Sequence, residues 1–256
     1  MSTHTFYEFP LNERIRVFMR LEQLFQQFEH FVEGATIFDK RAAISALLDI
    51  MKIFNRNDLK SEILKELDRQ SKTLSDLLSN KEIDSEKLDR FIKSVNGLSK
   101  NLYKTNGKIS IKIMESGLFK SISQRSSIPG GMCSFDLPEY HYWLEQGHHV
   151  QQQDLKQWIE PFVGIRNALK FILNFIRQSS TATQEIAETG FFQSGLEQAK
   201  PFQLLRVAIE TSSPCFAEIS GGKQRFTIRF MSKSPNKVRP SQVGDNISFS
   251  LTRCAF

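Results

Sequence analysis

Gly221-Gly222-Lys223-Gln224-Arg225-Phe226-Thr227-Ile228-Arg229-Phe230-Met231 carries the period on which the fold reading turns. Phe226, Ile228 and Phe230 alternate with Arg225, Thr227 and Arg229. Side chains in a strand point to opposite faces in turn, so this spacing predicts one apolar face and one polar, cationic face. The paired glycines just before it are a hairpin signal. Working outward, Gly190–Phe192, Leu204–Ile209 and Ile247–Leu251 also read as strands between turn residues. The alternation at Thr3–Phe9 predicts a further strand that returns to the same sheet.

Between these ends the period changes to that of a helix. Leu11 to about Phe31 is the first expected helix, with Ile15, Phe18, Phe25 and Phe28 on its apolar side. Arg16 and Arg20 are four apart and project from one face of it. Lys40–Phe54 is the second helix, and the polar stretch Asn55–Asp58 breaks the pattern. Ile63, Leu67, Gln70, Leu74 and Leu77, then Leu88, Phe91, Val95, Leu98 and Leu102, follow heptad-like spacings. Two such helices joined by a polar turn predict an antiparallel hairpin packed on a larger body. Further helices are expected at Ile109–Gln124, from Pro138, and as one long apolar helix over Asp154–Gln178. Pro129, Gly130 and Gly131 mark a loop between the first two of these. The expected class is α+β: a mainly helical domain with long antiparallel helices, residues 11–180, and a smaller antiparallel β-domain. The β-domain is discontinuous, residues 1–10 and 181–256.

The 256 residues carry a formal net charge of +6, with a pI near 9.2, 40% hydrophobic and 24% charged residues. That balance excludes a disordered or collagen-like chain. No apolar run reaches the roughly 18–20 residues of a membrane span. The N-terminus shows no signal core, and Cys133, Cys215 and Cys254 are odd in number and far apart. A cytoplasmic protein without a disulfide framework is expected. Phe occurs 22 times, which predicts a Phe-packed core.

Catalytic and metal chemistry find little support. CxxC, HExxH, GxSxG and a phosphate loop are absent, and the adjacent His148 and His149 diverge on a helix. Cys133, with His141 eight residues on, is the one nucleophile candidate; its apolar neighbours Ile128, Met132 and Phe135 favour a structural thiol instead. No metal or cofactor is expected. The charge pattern says more. From Ile219 to Gly244 there is no acidic residue, yet six cations occur: Lys223, Arg225, Arg229, Lys233, Lys237 and Arg239. Arg225 and Arg229 share one strand face, two pleats or about 13 Å apart. The arginine fork suits carboxylates and phosphates, so an acidic partner is expected. Nucleic acid is the alternative partner, on a basic, Phe-rich β-face. KQRFTIRFM lacks the Gly-Phe-Gly-Phe core of an RNA-binding strand, which counts against it.

Five strings carry a resemblance across the whole chain: PLNERIR (Pro10–Arg16), KELDRQ (Lys65–Gln70), QRSSIPGGMCSFDLP (Gln124–Pro138), LNFIRQS (Leu173–Ser179) and SGGKQRFTIRFM (Ser220–Met231). In these the sequence resembles the ZapD family of cell division proteins. The resemblance implies a helical domain joined to a β-domain, a homodimer and no enzymatic activity. It implies binding to the C-terminal tail of FtsZ, the tubulin-like division protein, and bundling of its filaments at mid-cell. Basic residues of the inter-domain cleft and the β-domain are associated with tail binding. By matching strings these are Arg16, Arg20, Arg56, His141, Lys223, Arg225 and Arg229, and Arg125 beside the Pro-Gly-Gly loop is a further candidate.

Overall fold

The computed structural model describes residues 3–56, 58–77, 85–104, 113–222, 224–233 and 239–255. The chain divides into two compact units, one made of Met1–Phe18 with Ile172–Phe256 and the other of Met19–Phe171.

The first unit is built on strands, and its class is the α+β one that the change of period predicts. Its strands are β1 (His4–Pro10), β2 (Thr183–Ala187), β3 (Phe191–Gly195), β4 (Phe202–Glu210), β5 (Phe216–Gly221), β6 (Arg225–Ser232), β7 (Ser241–Gln242) and β8 (Ile247–Ala255). One sheet has the order β1-β4-β8-β2, and a second the order β3-β6-β5, with β7 pairing on β6. Every pairing is antiparallel. The N-terminal strand does return to the sheet: β1 pairs with β4 from His4↔Glu210 to Pro10↔Leu204.

The two sheets share one core. Leu205, Val207 and Leu251 from the first meet Ala217, Phe226, Ile228 and Phe230 from the second. Phe249 on β8 joins them through its rings: Phe230 lies 5.1 Å away and Phe192 5.3 Å away, centroid to centroid. Each fully buried apolar side chain here contributes about 1.5–3 kcal/mol relative to exposure. The apolar face of β6 is thereby fixed inward, and its other face is fixed outward. Three strands went unread in the sequence. β2 and β5 mix polar and apolar residues without strong alternation, and β7 has only two residues.

The second unit is helical. Chain-ordered helices are α1 (Glu13–Glu33), α2 (Ile37–Arg56), α3 (Leu59–Leu77), α4 (Ser85–Lys104), α5 (Gly117–Arg125), α6 (Pro138–Leu144), α7 (His148–Ile159) and α8 (Val163–Gln178). The unit boundaries fall inside α1 and α8. α3 and α4 form the expected hairpin; Ser71 and Asn96 are bonded across it at 3.3 Å. Its stripe buries Ile63, Leu67, Leu74, Val95 and Leu102, and also Gln70 and Glu66. A column of rings continues the core: Tyr140 and Trp143 are 6.0 Å apart, Trp143 and Trp158 5.6 Å, and Trp158 and Phe119 5.2 Å.

Two helices differ from their expected bounds. The long helix expected over Asp154–Gln178 is two helices, interrupted by a 3-10 turn at Glu160–Phe162. Pro161 sits in that turn; it has no N–H to donate, and its ring clashes with the preceding turn of an α-helix. The helix expected over Ile109–Gln124 is helical at 113–114, breaks at Glu115 and Ser116, and resumes as α5 at Gly117, where Ser116 caps it by accepting from Phe119 N at 3.3 Å. Residues 109–112 of that expectation lie outside the described residues.

Candidate functional site

The outer face of the β3-β6-β5 sheet is set by register. Phe191↔Arg229, Gln193↔Thr227 and Gly195↔Arg225 pair across β3 and β6. Glu218↔Arg229 and Ser220↔Thr227 pair across β6 and β5. Three rows result: Phe191-Arg229-Glu218, Gln193-Thr227-Ser220, and Gly195-Arg225-Gly222, the last closed by Gly222 N donating to Arg225 O at 3.0 Å. Arg225, Arg229, Gln193, Glu218 and Ser220 are all exposed. Among the described residues, neither the Arg225 nor the Arg229 guanidinium has an ion-pair or hydrogen-bond partner. A groove of about 730 Å³ opens beside Arg225, lined by Gln193, Ser220, Gly221, Gly222 and Thr227 among others. The arrangement offers exposed guanidinium groups beside a row of short polar side chains, suited to an anionic chain.

The aromatic half of the nucleic-acid alternative fails here. Phe226 and Phe230 are buried in the core, so they are not a stacking surface. The ring on the cationic face is Phe191, 36% exposed. The face is basic but not Phe-rich.

The other expected site residues are distributed over both units. Arg16 is half-buried in the first unit, with Nε 3.2 Å from Glu13 Oε2 and its guanidinium 5.9 Å from the Phe9 ring centre. Arg20 is exposed on α1 in the second unit. Arg56 ends α2, and its side chain lies outside the described part of the structure. Lys223 lies outside the described residues. Arg125 ends α5, exposed and paired with Asp136 at 3.3 Å. That pair staples a run of tight turns: Ile128 N donates to Arg125 O, Gly131 N to Ile128 O, Cys133 N to Gly130 O and Asp136 N to Cys133 O. His141 is exposed on α6. Cys133 is exposed, not the buried structural thiol that its apolar neighbours predict, because the turns hold Phe135 out at 83% exposure.

The sequence model of a cell division family, ZapD, matches residues 19–229. A relative from Methylococcus capsulatus, named Cell division protein ZapD, is 44% identical over 254 residues, 99% of each chain. This chain belongs to the ZapD family. ZapD relatives of the same name from Nitrosomonas europaea and Chromobacterium violaceum are 38% and 34% identical; they align with 97% and 98% of this chain and with 94% and 99% of their own. The ZapD match ends on Arg229, so it takes in β3, β5 and β6 as far as Arg229.

Sequence reasoning put Thr227 on the polar face of β6 but missed its row partners Gln193 and Ser220, and the acidic Glu218 beside Arg229. The signal was available for two of them. A hairpin closed by Gly222 and Arg225, whose N–H and carbonyl are bonded at 3.0 Å, places Ser220 opposite Thr227 and Glu218 opposite Arg229. Gln193 needed the long-range β3 pairing, which no local pattern encodes. Among the described residues, no helix is long and apolar enough to cross a membrane, and no three His, Cys, Asp or Glu side chains are grouped to hold a metal ion.

Proposed function

We propose that this ZapD-family protein is a non-enzymatic division factor that binds the C-terminal tail of FtsZ and, as a homodimer, cross-links FtsZ filaments at the mid-cell division site. The observation that carries the reading is the pair of exposed arginines, Arg225 and Arg229, on one face of β6, neither of them ion-paired among the described residues. Lys223 precedes them in the same hairpin sequence, and Arg16, Arg20, Arg56, Arg125 and His141 are the further tail-binding residues of the proposal.

The mechanism is electrostatic capture. A charge-assisted hydrogen bond contributes about 1.5–3 kcal/mol when shielded and much less when exposed. Against the entropy of association, a few such contacts give a weak site, on the order of micromolar. A dimer presents two sites related by two-fold symmetry. Filaments carry tails as a dense array, so two weak sites act with avidity and join neighbouring polymers. No bond is made or broken, and the protein acts in the cytoplasm.

Sedimentation of FtsZ filaments tests this. Wild-type protein should pellet bundles, the yield should fall with salt, and filaments lacking the tail should not bundle. Arg225→Glu with Arg229→Glu should abolish bundling while circular dichroism stays unchanged. Normal bundling by the charge-reversed protein, or a strictly monomeric species in analytical ultracentrifugation, refutes the reading.

A further inference from the structure

The row between the two arginines is neutral and crosses three strands. Gln193, Thr227 and Ser220 lie side by side on β3, β6 and β5. Neighbouring strands are about 4.8 Å apart, so the row spans about 10 Å. The Ser220 and Thr227 hydroxyl oxygens are 3.3 Å apart. Two hydroxyls and one carboxamide offer both donors and acceptors. A phosphate polymer presents acceptors almost alone and does not need such a mixture. A peptide main chain, which alternates N–H and C=O, does.

Glu218 points the same way. It stands directly opposite Arg229 on the exposed face and forms no ion pair with it among the described residues. A carboxylate beside the seat repels a uniform polyanion but can accept from a peptide N–H. Arg225 lies at the groove that the neutral row floors. We infer that Gln193, Ser220 and Thr227 are specificity-determining residues that hydrogen-bond the main chain of an acidic peptide held by Arg225, so that the face selects peptide over phosphate polyanions. This rests on the tail-binding reading and adds to it how the site tells its ligand from other anions.

The test compares two probes by fluorescence anisotropy: a synthetic FtsZ tail peptide and inorganic polyphosphate as competitor. The variants are Arg225→Glu and the triple Gln193→Ala, Ser220→Ala, Thr227→Val, with denaturation curves confirming the fold of each. The triple variant should bind peptide about tenfold more weakly, as expected for a few neutral hydrogen bonds, with polyphosphate binding within about twofold of wild type. Glu218→Gln should strengthen polyphosphate binding more than peptide binding. If wild type does not bind the peptide, the tail reading and this inference fall together. If wild type binds, Arg225→Glu does not, and the triple variant binds as wild type, the inference alone is overturned. Equal weakening toward both probes also overturns it.

Discussion

Glu8 on β1 faces Arg206 on β4 in direct register, with 2.8 Å between Glu8 Oε1 and Arg206 Nε. Arg177 from α8 grips the other side of the same carboxylate, with Nη2 2.8 Å from Oε2. The three side chains are only 16%, 23% and 19% exposed, in that order. One anion thus holds two shielded cations, and it fastens an N-terminal strand to sequence 198 residues away. Glu8→Gln leaves both guanidinium groups without their counter-charge. It should cost about 2 kcal/mol, less than the loss of a fully buried partner because all three retain some water. Urea denaturation should show a lower midpoint at unchanged slope. A change under 0.5 kcal/mol, roughly the scatter of surface substitutions, would mean the cluster is mere surface charge.

The three thiols should separate by reactivity. Cys133 is exposed, whereas Cys215 and Cys254 are buried. Burial raises the Cys215 thiol and pushes Cys254 up to about 11, so little thiolate forms at either near neutrality. With an aromatic disulfide reagent at pH 8 (near the free-thiol pKa), one thiol per chain should react fast in the native protein. All three should react in denaturant. Cys133→Ser should remove the fast phase. Rapid native labelling of Cys254 would show that β8 opens readily.

Lys40 is fully buried on α2, and its Nζ donates to Val32 O at 2.8 Å. That carbonyl lies in the last turn of α1, so the ammonium supplies a partner for a helix end. Burial holds the Lys40 pKa below its ordinary value of 10.5. Between the lowered folded value and 10.5 the unfolded chain binds more protons than the folded one. Stability from this group therefore rises with pH across that alkaline window, and the burden of the buried charge is fully present below it. Lys40→Met removes charge and hydrogen bond together at similar length. Its denaturation midpoint should lose this alkaline dependence relative to wild type. An unchanged pH profile would place the dependence elsewhere.

Legibility followed locality. The period of Arg225–Met231 was enough to sort Phe226, Ile228 and Phe230 inward and Arg225 and Arg229 outward, because alternation on one strand needs no knowledge of its partners. The α3–α4 hairpin was readable for the same reason. The break at Pro161 was also local, but the apolar stripe on either side hid it. What could not be read was register between distant segments: Gln193 beside Thr227, or Glu8 beside both Arg177 and Arg206. The exposure of Cys133 depended on a chain of turns pinned by Arg125 and Asp136, which composition alone does not reveal.

The turn joining β2 to β3 shows the same limit and gives the last test. Thr189 and Gly190 both have positive φ, 47° and 70°, and Phe191 N donates to Glu188 O at 2.9 Å. Two successive positive φ values define the two-residue hairpin turn that Asn-Gly favours. Threonine is β-branched and strained there, so the sequence lacked the usual signal and β2 went unread. Thr189 keeps its place through backbone contacts, its N–H donating to Asn246 Oδ1 at 3.0 Å and its carbonyl accepting from Gln242 Nε2 at 2.9 Å. Thr189→Asn preserves both and relieves the strain, so it should stabilise the fold by about 0.5–1 kcal/mol. Gly190→Ala should do the reverse. Its Cβ would sit 2.6 Å from Val243 O, a backbone atom that cannot easily move, and the residue would still need φ near 70°. The cost should be about 2–4 kcal/mol, read as a drop in denaturation midpoint. If Gly190→Ala were as stable as wild type, or Thr189→Asn less stable, this turn geometry would be wrong.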